Sequence, residues 1–383
     1  MKIVIPREIA PDERRVALVP ALTDRLIKMG FEVHLEAGAG EKAFFPDAAY
    51  QDAGAQIVSS VEDLYRDAKI VLKVRPPMLN KERNSHEIDL IPKSAVLIGF
   101  LETLRVPETA ELLAKRGVTS FSMDTIPRIS RAQSMDALSS QASAAGYKAV
   151  LIAAEVAHKF FPMLTTAAGT IPPAKVFVIG AGVAGLQAIA TAHRLGATVE
   201  GFDIRPAAKG EVESLGAKFV QVELEEETEA EGGYAKEVTA EAERKEQEVI
   251  HQHVAAADVV ITTAQVPGAK APVLVNRGMV EAMKPGSVIV DLAVEQGGNC
   301  ELSEPGVNVE HNGVTVIGRV NLPSALSVHS SQMYCRNLLA LLGLLVKEGE
   351  LNLNFEDEIV KGCCITHDGA VVHERTAELI NKK

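Results

Sequence analysis

Lys175-Val-Phe-Val-Ile-Gly180-Ala-Gly182-Val-Ala-Gly185 is the stretch on which the fold turns. An apolar run ends in a glycine turn and a helix-like pattern follows over 182–195. A second apolar run, 198–202, then delivers an acid, Asp203. In such a unit each glycine has its own task. Gly180 makes the tight turn, Gly182 lets backbone approach a pyrophosphate, and Gly185 lets the helix pack closely on the strand. The helix start adds free N–H groups and a favourable dipole for phosphate. A lone G-x-G-x-x-G is weak evidence and could be a turn kept for packing. Strand, turn, helix, strand and terminal acid in that order read as a dinucleotide site.

The motif lies mid-chain, so the nucleotide domain is not N-terminal. At 383 residues two domains are the expected count. With 47% hydrophobic and 23% charged residues the chain has ordinary globular composition. A formal charge of -12 argues against nucleic acid as a partner, because phosphate backbones call for basic patches. Cys300, Cys335, Cys363 and Cys364 form no C-x-x-C pair, so reduced thiols are expected. No signal peptide is read at Met1-Lys-Ile-Val-Ile-Pro, which looks like a short strand, and a cytoplasmic location follows as the expectation. The apolar stretch 338–346 is far shorter than the roughly 20 residues that span a bilayer, so any membrane part would belong to other chains.

Short apolar runs at 2–6, 32–36, 69–74, 95–100 and 119–123 alternate with amphipathic segments such as 20–29 and 108–115. Six more runs surround the glycine loop: 176–179, 198–202, 218–222, 259–262, 287–291 and 314–317. This β/α alternation predicts parallel, doubly wound sheets. Long helices are expected from 132 towards 160 and from 323 towards 346, the second returning the chain to the first domain. The domains are therefore 1–138 plus 320–383, discontinuous, and 139–319, which holds the dinucleotide. Glu223-Leu-Glu-Glu-Glu-Thr-Glu-Ala-Glu231, followed by Gly232-Gly233-Tyr234, interrupts the scheme. It reads either as a solvated loop or as a flap that lays Tyr234 over a nucleotide.

A carboxylate at Asp203 accepts hydrogen bonds from a ribose 2′-hydroxyl and repels a 2′-phosphate, favouring NAD(H); Arg205 pulls the other way. The stretch Arg128-Ile-Ser130-Arg131-Ala-Gln133-Ser134-Met-Asp136-Ala-Leu-Ser139-Ser140-Gln141 contains a capping-box pattern at Ser130 and Gln133. It also sets Gln133, Asp136, Ser140 and Ser143 at spacings of three and four, a polar stripe suited to a cleft wall. His251 and His253 have a metal-ligand spacing but no neighbouring cysteine or acidic cluster, and no metal is expected.

The 128–136 stretch resembles the signature of the NAD(H)-binding component, domain I, of proton-translocating nicotinamide nucleotide transhydrogenase. The likeness covers nearly the whole chain, including Lys2-Ile-Val-Ile-Pro-Arg-Glu, Gly146-Tyr147, Gly232-Gly-Tyr-Ala-Lys-Glu and Lys284-Pro-Gly-Ser-Val-Ile-Val-Asp-Leu-Ala. It implies two doubly wound Rossmann-like α/β domains with a cofactor cleft between them. It also implies hydride transfer from NADH here to NADP(H) on a partner subunit, coupled to proton movement through a membrane-spanning subunit. Arg128, Asp136 and Ser139 would hold the nicotinamide carboxamide, with Ile129, Ser130 and Arg131 beside them, and Gln133 would reach the partner's nucleotide. Gly180, Gly182, Val183, Gly185, Asp203, Ile204, Arg205, Gly233 and Gln265 would contact the backbone and adenosine half, and Tyr234 would sit on the flap. A homodimer, peripheral on the cytoplasmic face of the inner membrane, is the implied assembly.

Two alternatives stand beside this. Alanine dehydrogenase resembles the chain in Arg15 and Lys73, but the place of its substrate histidine holds Glu102, and no histidine occurs between His86 and His158. A non-catalytic NAD(H) sensor would use the glycine loop and Asp203 equally well, and would leave Gln133 idle.

Overall fold

The computed structural model describes residues 1–221, 240–266 and 268–382. The segment 222–239, on which the expected flap with Gly233 and Tyr234 falls, lies outside the described residues. The chain forms two compact units, Met1–Gln141 with Ser324–Lys383, and Ala142–Pro323.

The first unit is built on β1 (Lys2–Ile5), β2 (Glu32–Glu36), β3 (Gln56–Val58), β4 (Ile70–Leu72), β5 (Val96–Gly99) and β6 (Thr119–Ser122). All six are mutually parallel, in the order β6-β5-β4-β1-β2-β3. Beyond β6 the sheet continues antiparallel with Cys364–His367 and Ala370–Val371. Central strands of a doubly wound sheet are buried on both faces, and their side chains alternate between two cores. On β1, Ile3 and Ile5 join one core and Val4 the other. The helix Ser327–Leu345 returns to this unit and sends Tyr334, Leu338, Leu341, Leu342 and Leu345 into the first core. The sequence reading missed β3, whose three residues are too few and too exposed to show a pattern.

The second unit is built on β7 (Lys175–Ile179), β8 (Thr198–Phe202), β9 (Lys218–Val220), β10 (Val259–Thr262), β11 (Val288–Asp291), β12 (Asn308–His311) and β13 (Val314–Ile317). The order is β9-β8-β7-β10-β11-β13-β12. The six expected runs all form strands, parallel throughout. The structure adds β12 as an antiparallel edge, half polar in sequence because only one face is covered. Val176 and Val178 face one core, Phe177 and Ile179 the other. The helix Val183–Arg194 buries Gly185, Ala188, Ile189 and Ala192, a stripe at helical spacing whose small residues allow close approach to the sheet.

The doubly wound α/β class expected from the alternation is what the structure shows. One local expectation fails. The helix expected from 132 begins at Ala137 and runs to Val156, and Ser130–Met135 form a separate 3-10 turn. All four cysteines are buried and unpaired. Among the described residues, no helix is long and apolar enough to cross a membrane and no group of side chains forms a metal site.

Candidate functional site

In the second unit the strand order reverses at β7, with β8 to one side and β10 to the other. Ligands of such sheets bind outside the carboxyl ends of the strands at this reversal. Two chain segments leave the sheet there, Gly180 after β7 and Thr263 after β10.

Gly180 and Gly185 do what their spacing implied, one in the turn and one in the packing. Gly180 sits at φ +96°, a conformation L side chains avoid, and a Cβ on it would stand 2.5 Å from Thr263 Oγ1. A Cβ on Gly185 would lie 1.8 Å from the Gly180 carbonyl oxygen, so this glycine sets how closely helix meets strand. Gly182, at the helix N-cap, has open space where its Cβ would be. No side chain caps this helix, so its first-turn N–H groups remain available to an anion in the crevice.

Asp203 ties the turn to β8. Its Oδ2 accepts the Ala181 N–H (2.8 Å) and its Oδ1 the Arg205 N–H (2.9 Å). The Arg205 side chain closes on the same carboxylate through Nε (2.9 Å) and Nη2 (3.0 Å). These four donors occupy the roughly four lone-pair sites a carboxylate offers. Any further donor to this carboxylate would have to displace one of them, a feature that spacing alone did not show. Beside Asp203 a pocket of ≈ 140 Å³ is lined by Phe202, Ile204, Phe219, Gln221 and Glu246, among others. Gln265, exposed after β10, donates through Nε2 to the Leu292 carbonyl (3.0 Å).

In the first unit the 128–139 segment is laid over the core by buried Ala132 and Met135. Arg128, Ser130 and Gln133 are exposed. The capping box read at Ser130 and Gln133 is a correction. No side chain caps the 3-10 turn, and the carboxylate of Asp136 caps the long helix instead. It accepts the Ser139 N–H at 2.9 Å and the Ser139 hydroxyl at 2.5 Å. The polar stripe is broken for the same reason, because the chain leaves helical geometry at Asp136 (ψ 84°) and restarts the periodicity. Arg131 makes a bidentate pair with Asp357 (2.7 and 2.8 Å), and this contact holds the Asp357 carboxyl down at about 2. Asn337 Nδ2 donates to the Ser134 carbonyl (2.8 Å) and fixes the turn from the returning helix.

The first sheet also reverses, between β1 and β4, and there the chemistry is different. Lys73, fully buried after β4, places Nζ 2.7 Å from Glu87 Oε1 and 3.4 Å from Glu8 Oε2. Burial alone would lower its pKa; the two carboxylates more than offset that and keep the ammonium charged. Arg15 is equally enclosed, paired with Glu13 (2.6 Å) and donating to Gln141 Oε1 (2.8 Å). Glu102 pairs with Arg75 at 3.0 Å.

Sequence reading did not find three residues of the second-unit site. Gly146 lets its helix pass within contact of the next one, since a Cβ there would meet the Ala184 carbonyl oxygen at 2.1 Å. Thr263 Oγ1 donates to the Gly180 carbonyl at 3.0 Å. Asp291, fully buried at the end of β11, gathers five donors. An acid closing an apolar strand was the available signal for the last.

Family models described as alanine dehydrogenase/PNT, N-terminal domain and C-terminal domain, match residues 4–145 and 149–374. The chain belongs to the alanine dehydrogenase/PNT family. Within the family it is 49% identical over 377 residues to a Rhodospirillum rubrum protein named as the first part of NAD(P) transhydrogenase subunit alpha, covering 97% of this chain and 98% of that one. A solved transhydrogenase structure from Sinorhizobium meliloti superposes with TM-score 0.84 at 43% identity, covering 97% and 99% of the two chains. Alanine dehydrogenase of Halomonas elongata is 31% identical, over 99% of this chain and 96% of its own. The family's two named activities thus sit at different distances from this sequence.

Proposed function

We propose that the chain is the NAD(H)-binding component of a proton-translocating transhydrogenase, exchanging hydride with NADP(H) held on another chain. The observation that carries this is the second-unit crevice, with an uncapped helix start, open space over Gly182 and an acid at the end of β8. The similarity to a relative named as one portion of a transhydrogenase subunit supports it, and supports a need for further chains; that one of these chains spans the membrane is part of the proposal. A homodimer, peripheral on the cytoplasmic face of the inner membrane, belongs to the same proposal.

Between two nicotinamides, NADH gives one hydride and NADP⁺ takes it, so no proton is exchanged with a side chain. The protein's task is to hold the rings within about 3–3.5 Å and exclude water. The helix start would take the pyrophosphate, and Asp203 with Arg205 and the pocket beside them the adenosine half. Arg128, Asp136 and Ser139 would orient the carboxamide, and Gln133 would reach the partner's nucleotide. Gly233 and Tyr234 would complete the adenosine side.

Reduction of an oxo acid is not favoured, because Lys73 and Arg15 are each buried against carboxylates rather than turned to a substrate. The test mixes the chain with a separately purified NADP-binding component and follows hydride transfer from NADH to NADP⁺, with each component alone as control. Transfer only in the mixture is expected, and Gln133→Ala is expected to slow it about tenfold or more while NADH affinity stays within about twofold. Turnover by this chain alone with pyruvate and ammonium would return the alanine dehydrogenase reading. NADH binding without turnover in any mixture would leave a sensor.

A further inference from the structure

The crevice wall opposite the glycine turn is the segment 263–266, where the chain leaves β10. The side-chain amide of Asn299, fully buried, grips it at both polar groups of one residue. Asn299 Oδ1 accepts the Ala264 N–H (3.0 Å), and Nδ2 donates to the Ala264 carbonyl (2.9 Å) and the Pro272 carbonyl (2.8 Å). The Asn299 backbone carbonyl accepts the N–H groups of Leu274 (2.8 Å) and Val275 (2.9 Å). One residue therefore fastens both the exit from β10 and the chain's return at 272–275.

Asn299 is itself held by Asp291 Oδ2, which accepts its backbone N–H at 2.8 Å. The wall touches the turn directly. Thr263 Oγ1 donates to the Gly180 carbonyl, and a Cβ on Gly180 would meet that hydroxyl at 2.5 Å. A shift of the exit is thus felt where the dinucleotide would lie. The grip needs an acceptor and two donors on one planar group of this length. Aspartate lacks the donors, leucine lacks both functions, and glutamine is one methylene too long.

We propose that Asn299 is a positioning residue for the dinucleotide, setting the wall after β10 without touching the ligand. The proposal rests on the reading of this crevice as the NAD(H) site.

The experiment measures the NADH dissociation constant and hydrogen exchange at Ala264 for wild type, Asn299→Ala and Ser303→Ala. Ser303 Oγ donates to the same Asp291 (2.6 Å) and to the Cys300 carbonyl (2.9 Å) rather than to 264 or 272, so its loss reports disruption of the hub alone. Asn299→Ala should raise the NADH constant at least about tenfold and speed exchange at Ala264, whose N–H loses its acceptor. Ser303→Ala should do none of these even where it lowers the melting temperature as much. Asn299→Ser provides the same readout should the alanine variant not fold. Unchanged NADH affinity in Asn299→Ala, or the same loss in Ser303→Ala, would overturn the proposal alone. A wild type that binds no NADH would overturn the crevice reading and this inference with it.

Discussion

The two units carry the same kind of sheet reversal and use it in opposite ways. In the second unit the strands on either side of the reversal, β7 and β10, are followed by glycines and a threonine, and the helix start above them carries no capping side chain. In the first unit the corresponding strands, β1 and β4, are followed by Glu8 and Lys73, which close on each other and on Glu87. Topology provides a crevice in both. A missing Cβ and an uncapped helix leave room for a ligand, whereas an ion cluster out of water fills the same space with its own side chains. Fold class alone therefore locates candidate sites but does not say which of them is open.

The comparison is broken most forcefully at Lys73. Lys73→Ala leaves two buried carboxylates with no cation, and a loss of about 3–5 kcal/mol is expected in chemical denaturation. NADH affinity of any folded fraction should be unchanged; a change would mean that this cluster takes part in binding. Next come the two glycines. Gly185→Ala drives a methyl group against the Gly180 carbonyl and should cost about 1–3 kcal/mol together with most NADH binding. Gly182→Ala meets nothing in the free chain, so stability should stay within about 0.5 kcal/mol while NADH affinity, read by fluorescence titration, falls about tenfold. Equal behaviour of the two variants would remove the distinction between a packing glycine and a ligand-facing one. The smallest effect is expected at Glu8. Burial pushes its carboxyl up against the pull of Lys73, and Oε2 has no hydrogen-bond donor. Glu8→Gln leaves Glu87, the nearer partner at 2.7 Å, to hold the Lys73 ammonium and should change stability by less than about 1 kcal/mol. A loss as large as that of Lys73→Ala would show instead that the cluster needs both carboxylates.

Asp203 and Arg205 sharpen the same contrast. Their spacing suggested a choice between ribose hydroxyl and 2′-phosphate, and the structure joins them into one bidentate pair that also anchors Ala181. Asp203→Ala should then weaken NADH binding and narrow its preference over NADPH. An unchanged preference, measured by competition, would place discrimination elsewhere.

What the sequence determined by itself is what local chemistry encodes. The alternation of apolar runs with amphipathic stretches specified strands and helices. The glycine spacing specified the turn at positive φ and the packing position, because each depends on the absence of a Cβ within a few residues. Tertiary structure decided the rest. Asp136 rather than Ser130 caps the long helix, because the chain first forms the 3-10 stretch Ser130–Met135 and leaves helical geometry at Asp136. Lys73 became a buried ion-pair partner, Arg131 a partner of Asp357, and Asn299 the clamp on Ala264. In these three pairings the partner comes from another part of the chain. Spacing along a sequence carries no record of which side chains folding brings within 3 Å of one another.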